Sequence, residues 1–124
     1  MQVRELMREA IIIRKDIPLY EAARLMSSKG MNSLLFISDK KLKGIITERD
    51  LLKNFNRKGR ISSIMSKKVI TIDSQDDVQS ALDIMKKYNK KRLPVVEKGK
   101  LVGIIGLIDI ARNADELEDG FFFD

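Results

Sequence analysis

The residues best suited to chemistry form one short run, Gly44-Ile45-Ile46-Thr47-Glu48-Arg49-Asp50. Thr47 falls where an apolar strand gives way to a helix, and the unpaired backbone N–H groups of a helix start attract phosphate. Asp50 follows on the same side of the helix, and an ionised carboxylate can accept from both hydroxyls of a ribose cis-diol. Arg49 offers a forked cation for phosphate. The run therefore indicates a site for a sugar phosphate.

The same pattern also fits a structural role. Thr47-x-x-Asp50 is the spacing of a helix capping box, in which each side chain satisfies a backbone N–H group near the other. A second run, Gly103-Ile104-Ile105-Gly106-Leu107-Ile108-Asp109, lacks the threonine but keeps the acid. Reciprocal capping by threonine cannot explain Asp109, although a first-turn acid on the helix dipole remains an alternative. Gly44, which opens the first run, lets the chain pass close to a neighbour.

Composition excludes several other kinds of site. The 124 residues include no His and no Cys, which removes Ser-His hydrolases, thiolate catalysis, disulfides and His- or Cys-ligated metals. No nucleophile stands beside a base, so we expect neither catalytic residues nor a metal site. No apolar run is long enough to span a membrane, and because the first ten residues are charged throughout we do not expect them to act as a signal peptide. We therefore expect a cytoplasmic protein without membrane contact.

Charge is distributed unevenly along the chain. Residues 1–60 carry 14 basic and 7 acidic side chains, residues 61–124 carry 10 and 11, and the last ten residues hold five acids and no base. A basic surface implies an anionic partner, whether a nucleotide phosphate, a nucleic acid or an acidic protein. A merely solubilising surface is the alternative.

The chain is an internal repeat. Residues 19–51 align with 78–110 with nine identities, at an offset of 59. Before them the offset is 58, which places Leu6-Met7 over Ile64-Met65 and Ile11-Ile12 over Val69-Ile70. Two copies are too few for an open solenoid, so we expect two half-domains packed about a pseudo-two-fold axis.

Each copy predicts the order strand, helix, strand, strand, helix. The predicted elements of the first copy are a strand at Ile11–Ile13, a helix from Pro18, a hairpin of Leu34–Ile37 and Leu42–Ile46, and a helix at Glu48–Phe55. Those of the second are a strand at Val69–Ile72, a helix from Asp76-Asp77, a hairpin of Leu93–Val96 and Leu101–Ile105, and a helix at Leu107–Asn113. The predicted organisation is a first repeat at 1–55, a linker at 56–60, a second repeat at 61–114 and an acidic, aromatic tail at 115–124.

With its doubled length, Leu93-Pro94-Val95-Val96 and above all the run Gly44–Leu51, the chain resembles a tandem pair of CBS (cystathionine-β-synthase) domains, or Bateman module, over about Val3 to Asn113. The resemblance implies an α/β (α+β) fold of two β-α-β-β-α repeats. It also implies a regulatory, non-enzymatic module with no obligatory cofactor, which binds AMP, ADP, ATP or an S-adenosyl compound in clefts between the copies. The ligand contacts carried over are phosphate and ribose at Thr47, Arg49 and Asp50, adenine at Ile11, Ile12, Ile13 and Pro18, and phosphate at Arg92, which follows Lys90 and Lys91.

The second cleft matches the family pattern less well. Gly106 and Ile108 replace the threonine and the arginine there, so we expect weaker binding or none. Its candidate residues are Asp109, Ile70, Thr71, Ile72 and Ser33. The family also implies a homodimer, for which we expect exposed apolar helix faces at Ile64 and Ile108. An unidentified target protein is a further expected partner.

Two other functions remain open at this level. A nucleic-acid-binding protein would use the basic first half with Arg57, Lys58 and Arg60, but no aromatic side chains alternate with these bases as stacking would need. The other alternative function is that of a protein-interaction module whose clefts no longer bind a ligand. The tail holds Phe121-Phe122-Phe123, which we expect either to dock on a dimer partner or target, or to be disordered.

Overall fold

The computed structural model describes residues 1–55 and 58–113, and it has the mixed α+β class that the sequence predicts. The tail at 115–124, with Phe121–Phe123, and Arg57 lie outside the described residues. Short 3-10 helices lie at Val3–Glu5 and Ile61–Ser63. In chain order, the strands and helices are β1 (Ile12–Ile13), α1 (Leu19–Lys29), β2 (Ser33–Ser38), β3 (Lys41–Thr47), α2 (Glu48–Lys53), β4 (Ile72–Asp73), α3 (Val78–Tyr88), β5 (Arg92–Glu97), β6 (Lys100–Gly106) and α4 (Leu107–Arg112).

The predicted order of strand, helix, strand, strand, helix is confirmed in both repeats. Pro18 is the N-cap of α1, with extended backbone at ψ 155, so it lies one position before the first helical residue rather than at it. Gly30 ends α1 with φ 62, and Asn89 ends α3 with φ 53. Both residues tolerate the left-handed conformation that closes a helix. The described residues contain no helix that is long and apolar enough to cross a bilayer.

Each repeat forms its own three-stranded sheet, in the orders β1-β2-β3 and β4-β5-β6. The first strand is parallel to the second, and the second and third form an antiparallel hairpin. Ile13 pairs with Phe36, and Ile72 pairs with Val95, the counterpart of Phe36. Ile13 and Ile72 are therefore equivalent. The predicted alignment of Ile11-Ile12 over Val69-Ile70 is therefore wrong by one residue. The second copy has one more residue than the first, and this residue lies before the first strand of the copy rather than after it.

The hairpin turns use left-handed backbone, as two-residue turns between twisted strands require. In the second repeat, Lys98 has φ 51 and Gly99 has φ 77. In the first repeat, Asp39 has φ 53 and Lys40 has φ 62. The positive φ predicted for Gly99 is confirmed, and Lys40 adopts the same conformation with a side chain that disfavours it.

The chain divides into two compact units whose boundaries differ from those of the sequence repeats. The first unit is Ala10–Val69, and the second unit is Met1–Glu9 together with the described residues from Ile70 to Asn113. In the first unit, Asp16 accepts from the backbone N–H of Ser62 at 3.0 Å and from its hydroxyl. In the second unit, the backbone N–H of Val3 donates to the backbone carbonyl oxygen of Asp76 at 2.8 Å. The segment that precedes each repeat thus packs with the other repeat.

Each unit has its own apolar core between its sheet and its longer helix. Fully buried aliphatic side chains from the second and third strands form the centre of each, with alanine and methionine from the helix packed against them. These residues are Leu34, Ile46, Ala22 and Met26 in the first unit, and Leu93, Ile105, Ala81 and Met85 in the second. The two rigid cores hold the ends of β3 and β6, from which the candidate site residues project.

Candidate functional site

Thr47 and Asp50 meet at the junction of β3 and α2. The Thr47 backbone N–H donates to Asp50 Oδ2 at 2.8 Å, and its hydroxyl donates to the same oxygen at 3.0 Å. The Asp50 backbone N–H is 3.2 Å from Thr47 Oγ1, which accepts from it. The structure therefore confirms the capping box as one role of this pair.

Capping uses only one oxygen of Asp50. In the part of the chain that the structure describes, Asp50 Oδ1 has no hydrogen-bond or ion-pair partner, and the residue is half-buried. Arg49 is exposed on the first turn of α2 and forms no ion pair with any described residue. An acceptor oxygen on Asp50 and a guanidinium on the adjacent residue Arg49 are therefore both available in the first turn of α2. We call Thr47, Arg49 and Asp50 the Asp50 site.

The equivalent residues of the second unit are arranged differently. Gly106 donates its backbone N–H to Asp109 Oδ2 at 2.8 Å, so half of the capping box persists without the threonine. The other oxygen, Oδ1, lies 2.8 Å from Arg8 Nε. The Asp109 side chain is 6% exposed, whereas that of Arg8 is 47% exposed. Both oxygens of Asp109 are thus occupied, and we call Gly106, Ile108 and Asp109 the Asp109 site.

Arg8 is held in place by the edge of β6. Its backbone exchanges two hydrogen bonds with Ile104, at 2.8 and 2.9 Å. Ser66 makes the same antiparallel bridge to Ile45 in the first unit, at 2.9 and 3.0 Å. Ser66 is therefore the structural counterpart of Arg8, and its short side chain forms no ion pair.

Glycine makes this close approach possible in both units. A Cβ on Gly103 would stand 2.7 Å from the carbonyl oxygen of Arg8, and one on Gly44 would stand 2.9 Å from that of Ser66. Distances under about 3 Å leave no room for a side chain. The structure confirms the close approach predicted for Gly44 and shows the same at Gly103.

The first strands present one residue each away from the core. Ile11 and Ile13 pack into the core of the first unit, so alternation places Ile12 on the opposite face. Ile70 and Ile72 pack into the core of the second unit, and Thr71 is exposed. Pro18 is half-buried at the start of α1. Of the six predicted strand residues, only Ile12 and Thr71 are turned from the core.

Ser33 and Arg92 occupy equivalent places at the start of the second strand. Ser33 pairs with Thr47 and is buried, at 3% exposed. Arg92 pairs with Gly106 and is half-buried. Lys91 is exposed and Lys90 half-buried. Ser33 therefore belongs to the first unit with the Asp50 site, and Arg92 to the second unit with the Asp109 site.

Two expectations about the surface have different outcomes. Ile64 is partly buried against the core of the first unit, so the predicted exposed face there is wrong. Ile108 is 58% exposed on α4, as predicted, and its neighbour Leu107 is 42% exposed. The described residues include no group of three or more acidic side chains placed to hold a metal ion.

The residue that sequence reasoning missed is Arg8. The offset of 58 that aligns Leu6-Met7 with Ile64-Met65 also places Arg8 over Ser66, so the signal was present. The alignment gave no reason to connect Arg8 with Asp109, because the contact depends on how residues 1–9 pack.

Comparison with known proteins finds the CBS domain family twice in the chain, over residues 3–57 and 61–116. Inosine-5′-monophosphate dehydrogenase of Korarchaeum cryptofilum is 35% identical over 106 residues, which are 85% of this chain and 22% of that enzyme. The CBS domain-containing protein YhcV of Bacillus subtilis is 30% identical over 100 residues, 77% of this chain and 71% of that protein. The chain spans between 22% and 65% of the length of three curated relatives that it matches.

Solved structures share the fold. The CBS domain pair of protein MJ0100, in complex with 5′-methylthioadenosine and S-adenosyl-L-methionine, has a TM-score of 0.85 and 31% identity, and the match covers 94% of this chain and 97% of that one. The CBS domain protein PAE2072 from Pyrobaculum aerophilum, complexed with AMP, has a TM-score of 0.81 and covers 89% and 90% of the two chains. At 23% identity the second likeness concerns the fold alone.

Proposed function

The chain belongs to the CBS domain family, as its repeat and its motif predicted, and we propose that it is a regulatory module that binds an adenosine nucleotide through the Asp50 site. AMP is the first candidate, followed by ADP, ATP and S-adenosyl compounds. The MJ0100 domain pair, which resembles this chain over nearly its whole length, was crystallised with two adenosyl ligands, and this supports the ligand class.

The observation that carries the proposal is the unoccupied acceptor on Asp50. Oδ2 is committed to the capping box, and Oδ1 has no partner among the described residues. A ribose cis-diol brings two O–H donors, for which an ionised carboxylate oxygen is a strong acceptor. Because the capping box fixes the rotamer of Asp50, the acceptor is held in place before the ligand arrives.

The remaining contacts are assigned by residue type. In the proposed complex the adenine lies against Ile12, which faces away from the core, and near Pro18. Ile11 and Ile13 would support that strand from within the core. Arg49, exposed and unpaired among the described residues, would meet the phosphate. The role of Arg92 as a second phosphate contact stays a prediction from the family pattern.

A ligand titration with a matched pair of variants tests this proposal. We expect AMP to raise the midpoint of thermal unfolding of the wild-type chain, because a ligand that binds only the folded state stabilises it by about 2.7 kcal/mol at a hundred times Kd. Asp50→Asn keeps an acceptor for the cap but loses the charge, and we expect AMP affinity to fall at least about tenfold. A thermal-unfolding scan measures the first effect, and isothermal titration with AMP, ATP and S-adenosylmethionine measures the second.

Asp39→Asn is the control for that experiment. Asp39 is an exposed turn residue of the same unit with φ 53, a conformation that asparagine tolerates well. It removes the same charge without touching the Asp50 site, so AMP affinity should not change. Equal binding by wild type and Asp50→Asn would remove Asp50 from the site, and no heat with any adenosyl ligand would refute the proposed function.

We further propose that the module acts on another protein or domain rather than catalysing a reaction itself. In the dehydrogenase relatives the matched segment is only 22% to 24% of the enzyme, which supports a regulatory part. Self-association as a homodimer is also proposed, with the exposed Leu107 and Ile108 of α4 as the contact. The target would be a protein or domain that distinguishes the nucleotide-free module from the nucleotide-bound one.

A further inference from the structure

The ion pair between Arg8 and Asp109 gives the second unit a property that its sequence motif does not predict. Arg8 Nε lies 2.8 Å from Asp109 Oδ1, and Gly106 donates to Oδ2 at the same distance. A charged hydrogen bond to a carboxylate that is 6% exposed is stronger than one at the surface, because little water competes for it. The oxygen that is unpaired in Asp50 is therefore already occupied in Asp109.

We propose that Arg8 is an internal occupant of the Asp109 site, which holds the carboxylate and keeps a ribose cis-diol from it. The inference rests on the proposed function, since it assumes that the Asp50 site binds an adenosine nucleotide. Each chain then binds one nucleotide, at the Asp50 site, because Arg8 prevents a second from binding at the Asp109 site. The missing threonine and arginine of the second motif weaken the Asp109 site further, but Arg8 closes it.

Three observations support the assignment to Arg8 rather than to the motif alone. The Arg8 backbone is fixed by two hydrogen bonds to Ile104, so its side chain starts from a defined point at the edge of β6. Gly103 leaves the space that this approach needs. Ser66, at the same place in the first unit, has no charge to offer Asp50. Besides the differences within the motif, the two units therefore carry different residues at this bridge position, and these can be exchanged by mutation.

Arg8→Ser gives the second unit the residue that the first unit has. We expect isothermal titration with AMP to change from one equivalent bound per wild-type chain to two, with the affinity of the Asp50 site unchanged. Adding Asp109→Asn to Arg8→Ser should abolish the second equivalent. The Asp50 site is the internal reference, so a wild-type chain that binds none of AMP, ATP and S-adenosylmethionine refutes the proposed function. One equivalent bound by a folded Arg8→Ser chain refutes only the present inference.

Ser66→Arg is the reciprocal test and does not depend on the stability of Arg8→Ser. It is designed to pair an arginine with the unpaired oxygen of Asp50. We expect AMP affinity at the Asp50 site to fall about tenfold or more, because the ligand would have to break that internal bond to reach the carboxylate. Unchanged affinity in Ser66→Arg would overturn the inference. So would weaker AMP binding by Arg8→Ser, or tighter binding by Ser66→Arg, because an arginine at this position would then be a phosphate ligand rather than an occupant.

Discussion

Asp50 and Asp109 occupy the same position in their two units but differ in what their carboxylates contact. The Asp109 side chain is 6% exposed and bonded through both oxygens, while Asp50 is half-buried and bonded through one. The difference originates outside the motif, at Arg8 and Ser66, which make the same backbone bridge in each unit. Residues with one sequence signature can therefore be a closed ion pair in one repeat and an available acceptor in the other.

The Arg8–Asp109 pair should contribute measurably to stability. Truncating either residue to alanine leaves the other charged residue without its partner. Since Arg8 is half-exposed, we expect a loss of about 1–2 kcal/mol in the free energy of unfolding. A double-mutant cycle with Arg8→Ala and Asp109→Ala, measured by urea denaturation, gives the coupling energy. We expect it to be at least about 1 kcal/mol.

The ion pair between the Met1 amino group and Asp77, in the same unit, provides an exposed comparison for the Arg8–Asp109 pair. The amino group of Met1 lies 3.5 Å from Asp77 Oδ1, and the Asp77 side chain is 63% exposed. Asp77→Ala should therefore change the free energy of unfolding by no more than about 0.5 kcal/mol. If Asp77→Ala cost as much as Asp109→Ala, burial would not be what strengthens the Arg8 pair.

Gly44 and Gly103 should not tolerate a side chain. A Cβ on Gly44 would meet Met65 Sδ at 2.6 Å as well as the Ser66 carbonyl, and one on Gly103 would meet the Arg8 carbonyl. We expect each substitution to alanine to lower the free energy of unfolding by about 1–3 kcal/mol, since a backbone carbonyl cannot move aside as a flexible side chain can.

Lys43→Ala provides the control for the glycine substitutions. Lys43 is the exposed neighbour of Gly44 in β3, and its truncation should change stability by no more than about 0.5 kcal/mol. Chemical denaturation of the three variants under one set of conditions decides the point. Gly103→Ala as stable as the wild type would mean that residues 1–9 do not lie against β6 in solution.

The two hairpin turns predict a reciprocal pair of stability changes. Lys40 has φ 62, where a residue with a Cβ is disfavoured, and Gly99 fills the same place in the second repeat. Lys40→Gly should raise the free energy of unfolding by up to about 1 kcal/mol, and Gly99→Lys should lower it by a similar amount. Thermal unfolding followed by circular dichroism measures both, and a loss of stability in Lys40→Gly would contradict the explanation.

The exposed face of α4 predicts an effect on self-association. Ile108 is 58% exposed beside Leu107, and a charge there would have to be buried if the face forms the proposed dimer contact. We expect Ile108→Glu to weaken dimerisation at least about tenfold, as measured by light scattering after size-exclusion chromatography.

Tyr20→Glu is the matched variant for that measurement. Tyr20 is 69% exposed on α1 and lies outside the proposed contact. Its substitution should leave the oligomeric state unchanged. A wild-type chain that is monomeric at micromolar concentration, or an Ile108→Glu chain that still dimerises, would rule out this contact.

Much of the fold followed from local sequence patterns. The repeat, the order of elements in each copy and the left-handed turn at Gly99 were all predicted, because periodicity and turn chemistry act over a few residues. The predicted capping box at Thr47 and Asp50 is local for the same reason. Element ends were less accurate: α2 ends at Lys53 rather than Phe55, since nothing in the sequence there forces a longer helix.

Only the tertiary structure decided which segment packs with which repeat and what each acidic residue contacts. Arg8 and Asp109 are far apart in the chain, and they meet because residues 1–9 pack against the second sheet through the bridge to Ile104. A pairing of this kind depends on long-range packing of whole segments, which no local pattern encodes. The sequence by itself therefore determined two equivalent acids at two helix starts, and the packing of the preceding segments determined that one is occupied and the other is not.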